Sequence, residues 1–201
     1  MPRLASVLTL LCVAVSAKAD TIIFNDGFEG TNLPATFTTV GPGGLIGPWT
    51  VGGAGVDWIG GYWQPAEGNG SVDMSGLGPG SVTTQLATVA SQRYVLSFYL
   101  AGNPDGGPAV KTLRLQVGGL IQGFTFDTTG HNANAMGWVL ESASFTALGN
   151  DTLTFTSLVN NPYGPALDGV TVTAISEIPE PAGHTLALLG LAAVSLFRRR
   201  R

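Results

Sequence analysis

Tyr94-Val95-Leu96-Ser97-Phe98-Tyr99-Leu100 sets Leu96, Phe98 and Leu100 on one side of an extended chain and Val95, Ser97 and Tyr99 on the other. Side chains alternate between the two faces of a strand, so this spacing predicts a β-strand with one apolar and one wetter face. The alternation recurs at Leu113, Leu115 and Val117 among Thr112, Arg114 and Gln116, and at Leu153 and Phe155 among Thr152, Thr154 and Thr156. Working outward, further strands are predicted at 21–24, 36–40, 49–51, 56–59, 71–74, 82–88, 121–126, 138–145 and 167–174. Gly, Pro, Asn and Asp separate them, and no stretch of the domain carries a capped 3.6-residue apolar period. Short strands at spacings of about ten residues point to an all-β fold, a jelly-roll β-sandwich of two antiparallel sheets. No self-similar period supports a repeat architecture.

The two ends are of another kind. Arg3 precedes an apolar stretch at 4–15, and the small-residue site Ala17-Lys18-Ala19 follows, which reads as a signal peptide over 1–19. The single cysteine, Cys12, lies inside it, so the exported domain at 20–176 has neither disulfide nor thiol chemistry. At the other end Pro179, Glu180 and Pro181 precede an apolar segment at 182–197 and the arginines Arg198, Arg199, Arg200 and Arg201. That segment covers roughly 24 Å as a helix, somewhat short of a full hydrocarbon core, with the arginines holding its end on the cytoplasmic side.

This tripartite tail at 177–201 resembles the bacterial PEP-CTERM sorting signal. The resemblance implies cleavage near the Pro-Glu-Pro motif by an exosortase-type membrane protease in Gram-negative bacteria that make extracellular polysaccharide. The partners then implied are the export machinery, signal peptidase and exosortase. The chain is expected to cross the inner membrane, to be held briefly by its hydrophobic sorting helix, and to end at the cell surface or outside the cell. A plain C-terminal anchor is the alternative, but it does not need a Pro-Glu-Pro preface.

Charge narrows the partners. Of nine basic residues only Arg93, Lys111 and Arg114 belong to 20–176, against eleven acidic ones there, so the domain carries a net charge near −8. Such a surface repels phosphate backbones and excludes nucleic acid as a partner.

A second resemblance runs through the exported domain. The stretches Gly55-Val56-Asp57-Trp58-Ile59-Gly60, Tyr62-Trp63-Gln64, Gly70-Ser71-Val72-Asp73, Ala101-Gly102-Asn103-Pro104-Asp105-Gly106-Gly107-Pro108 and Tyr163-Gly164-Pro165-Ala166-Leu167-Asp168 carry it. They are similar to the choice-of-anchor C domain, which is related to DUF642 proteins and to galactose-binding-like sandwiches. The resemblance implies a fold and a cell-surface setting, and no chemistry.

With only His131 and His184, the chain has no histidine pair for a metal site and no serine-histidine device. Asp57, Glu67 and Asp73 could supply a glycosidase-type carboxylate pair, but sequence spacing does not fix their separation. The plainer reading has Asp57 and Asp73 accepting backbone N–H bonds at strand ends and turns.

Asn25-Asp26-Gly27-Phe28-Glu29 and Asp168 would meet if the first and last strands are neighbours. Galactose-binding-like sandwiches with a similar start hold a structural calcium there, which implies Asn25, Glu29 and Asp168 as candidate ligands. The alternative is that Glu29 and Asp168 bond to nearby backbone.

Trp58, Tyr62 and Trp63, beside Asp57, Gln64 and Asn69 and within reach of Asn103 and Asp105, form a candidate platform for sugar rings. C–H faces stack on aromatic rings while carboxylates and amides take hydroxyl hydrogen bonds. Against it stands core packing, the common fate of large aromatics such as Trp49, Trp58 and Trp138. Three function classes follow: a non-catalytic module for extracellular polysaccharide, a structural or adhesion matrix protein, and, with least support, a glycan hydrolase.

Overall fold

A computed structural model describes residues 19–176. The signal-peptide residues up to Lys18, with Ala17, lie outside the described residues, as do the sorting helix, Pro179, Glu180, Pro181 and Arg198 to Arg201. Asp20–Ile175 is one compact unit. It is built from β1 (Thr21–Asp26), β2 (Phe37–Val40), β3 (Leu45–Ile46), β4 (Trp49–Gly53), β5 (Val56–Ile59), β6 (Ser71–Asp73) and β7 (Gly80–Gln85). There follow β8 (Arg93–Gly102), β9 (Val110–Val117), β10 (Leu120–Asp127), β11 (Val139–Thr146), β12 (Thr152–Ser157) and β13 (Pro165–Ala174). No helix of these residues is long and apolar enough to cross a membrane.

The strands form a jelly-roll sandwich of two antiparallel sheets. One runs β11-β8-β13-β6-β5-β2, with β1 added against β13; the other runs β10-β9-β12-β7-β4-β3. The alternation seen in sequence sets the core: Leu96, Phe98 and Leu100 from β8 face Leu113 and Leu115 from β9 and Leu153 and Phe155 from β12, all buried. The Phe98 ring lies 5.0 Å from those of Phe124 and Phe155, and Trp49 caps the row 6.1 Å from Phe155. Removing this apolar surface from water is what holds the two sheets together.

First and last strands do pair, with Thr21 opposite Ala174 and Asp26 opposite Val170. Strand β13 also pairs with β6 at Ala166 and Leu167, so it changes partner along its length, and its register against β8 shifts between Asp168 and Thr171. This change of partner leaves the loop after β5 lying against Asp168, while the other end of β6 faces a pocket.

Candidate functional site

Alternation along β5 and β6 decides which side chains reach that pocket. Val56, Trp58 and Val72 turn to the inter-sheet core, whereas Asp57, Ile59 and Asp73 line a cavity of about 310 Å³ on the other face of the sheet. Registration across three strands sets Thr39, Asp57 and Asp73 in one row, Thr39 opposite Asp57 and Asp57 opposite Asp73. The Thr39 hydroxyl donates to Asp57 Oδ1 at 2.6 Å.

The floor is a connected network. Asp73 accepts the Ser75 N–H at 2.9 Å and the Gly164 N–H at 3.0 Å on Oδ1, and the Asn103 side-chain amide at 2.8 Å on Oδ2. Asn103 Oδ1 in turn accepts the Asp105 N–H at 2.9 Å, and Asp105 Oδ2 accepts the Tyr62 hydroxyl at 2.5 Å. Gly164 is needed here, because a Cβ on it would stand 2.6 Å from Asp73 Oδ1 and 2.4 Å from Ser75 Oγ. The chain of bonds runs from a buried carboxylate to a ring at the rim.

The rim is aromatic and open. Phe37 on edge strand β2, Tyr62 after β5 and Tyr163 before β13 all line the cavity, and Tyr62 and Tyr163 are 39% and 40% exposed. Leu77, 77% exposed, completes it. Phe37 and Tyr62 meet edge to face with ring centres 5.3 Å apart. Lys111 fixes the far side: its ammonium, buried beneath the loops, donates to Gly106 O at 2.5 Å and Tyr163 O at 2.7 Å. Gly106 lets the Tyr163 ring settle on backbone, since a Cβ there would fall 2.1 Å from it.

Electrostatics follow from burial. Desolvation, helped by neighbouring Asp57, pushes the Asp73 carboxyl up to about 7 against the three donors that favour its ionised form. Desolvation raises Asp57 as well, with Thr39 opposing, and the bond to Asp105 raises the Tyr62 phenol. Burial lowers Lys111, and the charge of Asp73 partly offsets this.

The residues expected from sequence divide. Asp57, Tyr62, Trp63, Asn103 and Asp105 line this cavity together. Trp63 does so as part of its wall: it is 4% exposed and its indole N–H donates to Ser71 Oγ at 2.8 Å, so its ring offers no free face for stacking. Trp58 lies on the core side, donating to Phe28 O at 2.8 Å, and this corrects its place in the platform. Gln64 and Asn69 stand apart from the cavity; Gln64 accepts the Trp138 indole N–H through its backbone, and the Asn69 N–H donates to Glu29. Asp73 accepts backbone N–H bonds as expected, whereas Asp57 accepts a hydroxyl. Both oxygens of Asp73 are taken by donors and Glu67 lies beside Asp168, so the three carboxylates do not assemble into a free acid and base pair.

The candidate calcium ligands Asn25, Glu29 and Asp168 each accept hydrogen bonds, as the backbone-bonding alternative expects for Glu29 and Asp168. Glu29 Oε1 accepts the Asn69 and Gly70 N–H groups, Asn25 Oδ1 accepts the Thr171 hydroxyl, and Asp168 accepts the N–H groups of Ala66, Glu67 and Gly169. Donors thus meet Glu29 Oε1, Asn25 Oδ1 and both oxygens of Asp168, and among the described residues no group of three or more His, Cys, Asp or Glu is placed to hold a metal. Phe37, Thr39, Leu77 and Tyr163 are among the site residues that sequence reasoning passes over.

The sandwich has the fold of a carbohydrate-binding module. It is similar to the CBM22-1 xylan-binding domain of Paenibacillus barcinonensis Xyn10C, at TM-score 0.51 and 17% identity over 81% of this chain and 99% of that one. It is also similar to the CBM22-1-CBM22-2 tandem domain of the same protein, at TM-score 0.53 and 18% identity over 85% of this chain and 49% of the tandem. At these identities the likeness is one of fold. The chain belongs to the DUF642 family, described as proteins of unknown function, whose pattern matches residues 21–173. Halomucin of Haloquadratum walsbyi (strain DSM 16790 / HBSQ001) is 28% identical over 184 residues, 87% of this chain, which spans 2% of halomucin's length.

Proposed function

We propose that the protein is an exported, non-catalytic carbohydrate-binding module of the cell surface or extracellular matrix, and that the cavity between Phe37, Tyr62, Tyr163 and Asp73 is its glycan site. The observation that carries this is the juxtaposition of solvent-facing rings with a floor of carboxylates and an amide. Rings take the C–H face of a sugar while Asp57 and Asp105, the latter held through Asn103, take its hydroxyls. The shared sandwich fold supports the reading, as does the xylan-binding role that the Paenibacillus domain's name records for that domain.

A glycan array and affinity gels with residues 20–176 test it. Tyr62→Ala and Tyr163→Ala are each expected to weaken binding about tenfold or more. Retained binding in both variants removes the cavity from the account. A domain that binds no glycan is instead the structural or adhesion matrix protein.

The ends belong to the same proposal: a signal peptide over 1–19, the domain over 20–176 and a PEP-CTERM tail over 177–201 that an exosortase cuts. Prolines on both sides of Glu180 resist helix and hold an extended approach for a protease. Replacing Pro179, Glu180 and Pro181 by alanine is expected to leave the chain exported but retained in the membrane with its tail, as read by immunoblot of membrane and culture fractions. Normal release of that variant refutes the processing step.

A further inference from the structure

The cavity's titratable lining is wholly acidic. Asp57, Asp73 and Asp105 face it, with the phenols of Tyr62 and Tyr163, and among the described residues no lysine, arginine or histidine lines it. The nearest ammonium, that of Lys111, points at Gly106 O and Tyr163 O beneath the rim and is committed to those carbonyls. Two oxygens are available for a ligand: Asp57 bonds Thr39 through Oδ1 and Asp105 bonds Tyr62 through Oδ2, and their second oxygens have no protein donor among the described residues.

A neutral sugar would satisfy the rings and part of the floor, yet it would leave those carboxylate oxygens desolvated without a counter-charge. An anionic sugar would add to the repulsion in a domain already near −8. A protonated amine on a sugar ring relieves both problems. It brings a cation to Asp57 and Asp105 as a charge-assisted donor, and the π faces of Tyr62, Tyr163 and Phe37 attract it further. The volume of about 310 Å³ suits a ligand of roughly one or two sugar rings.

We infer that the site selects amino sugars with free, protonated amines, such as 2-amino-2-deoxyhexose units of a partly de-N-acetylated polysaccharide, over neutral, N-acetylated or acidic sugars. This rests on the glycan-binding reading above and narrows it to one ligand class. Asp57 and Asp105 are the specificity-determining residues, and the rings supply affinity common to all hexoses. Discrimination then lies in the charge of one substituent.

The test is isothermal titration of the full chain in sugar-free polyoxyethylene micelles with four probes: a β-1,4-linked glucosamine trimer, its fully N-acetylated counterpart, xylotriose and trigalacturonate. The glucosamine trimer is expected to bind about tenfold or more tightly than the N-acetylated trimer and xylotriose, and trigalacturonate is expected to bind least. Asp57→Asn is expected to bring the preference for the free amine down to about twofold, by weakening the glucosamine trimer several-fold more than the N-acetylated trimer. Asp105→Asn, at an exposed position, gives the same readout should Asp57→Asn fail to fold. Glu141→Gln on β11, outside the cavity, is expected to leave the preference intact.

Equal affinities for the free and N-acetylated trimers overturn the inference while the glycan-binding reading stands. So does tightest binding of trigalacturonate, or a loss of preference in Glu141→Gln as large as in Asp57→Asn, which would assign it to bulk charge. Binding of none of the four probes, together with an empty glycan array, overturns both.

Discussion

Asp73 and Asp168 are near twins at opposite ends of the same seam. Each is fully buried, each accepts three N–H bonds, and burial pushes each carboxyl up to about 7. They differ in what stands around them. The donors to Asp168 are all peptide groups, from Ala66, Glu67 and Gly169, and it sits where β13 exchanges β6 for β1 as a neighbour. One donor to Asp73 is the side chain of Asn103, which leads on through Asp105 to Tyr62 and an open cavity. A buried carboxylate with a raised pKa is therefore a joint in one place and the floor of the proposed glycan site in another. The rings and free oxygens beside it tell the two apart.

The largest effect that separates the pair is on stability. Asp168→Ala leaves three N–H donors at a buried seam and is expected to cost about 3–4 kcal/mol in urea unfolding, with glycan affinity of the folded fraction unchanged. Asp73→Ala is expected to cost about 2–3 kcal/mol, because Asn103 can turn to solvent in the cavity, and to abolish glycan binding as well. If Asp168→Ala weakened glycan binding in the folded fraction, the division into joint and floor would fail.

What the pair shares is a sign of pH dependence. Both carboxyls titrate near 7 when folded and near 3.8 otherwise, so between these values the unfolded chain has given up protons that the folded chain keeps. Their contribution is fully present below about pH 4 and is lost as pH rises through about 7, with a slope of at most about 1.4 kcal/mol per pH unit for each group. Asp26 and Asp57, also raised by burial, act in the same direction, and the exposed Asp127, lowered by its bonds to Thr129, acts in the other. Urea midpoints measured from pH 4.5 to 7.5 should fall, and Asp73→Ala should flatten the slope. A rising midpoint across that range contradicts the raised values.

Much of the scaffold is legible in the sequence and less of the site. Twelve strands announce themselves by alternation or by β-branched and aromatic runs between glycine turns; Leu45–Ile46 does not, since two residues show no period. The strand Val56–Ile59 contains the signal that separates Asp57 from Trp58, because adjacent residues face opposite ways. Tyr62 and Trp63 lie in a loop, where no period says which ring is buried. Phe37 and Tyr163 reach the cavity only because β2 pairs with β5 and Lys111 pulls the loop before β13 over Gly106. Those are long-range facts of topology. Tyr163 nevertheless opens the Tyr-Gly-Pro-Ala-Leu-Asp stretch, whose Gly164 and Asp168 prove to serve the floor and the joint respectively.

The smallest effect tests whether the network or the ring matters at the rim. Tyr62→Phe removes the hydroxyl that donates to Asp105 Oδ2 and leaves the ring against Phe37. An exposed hydrogen bond contributes little, so stability is expected to change by less than about 0.5 kcal/mol. Glycan affinity is expected to fall only about two- to threefold, through a less firmly held Asp105, against about tenfold or more for Tyr62→Ala, which removes the stacking face. If the phenylalanine variant lost as much as the alanine variant, the hydroxyl and its tie to Asp105 would be the binding element. Tyr62 would then belong with the polar floor, and Phe37 and Tyr163 would be left as the aromatic surface that a sugar meets.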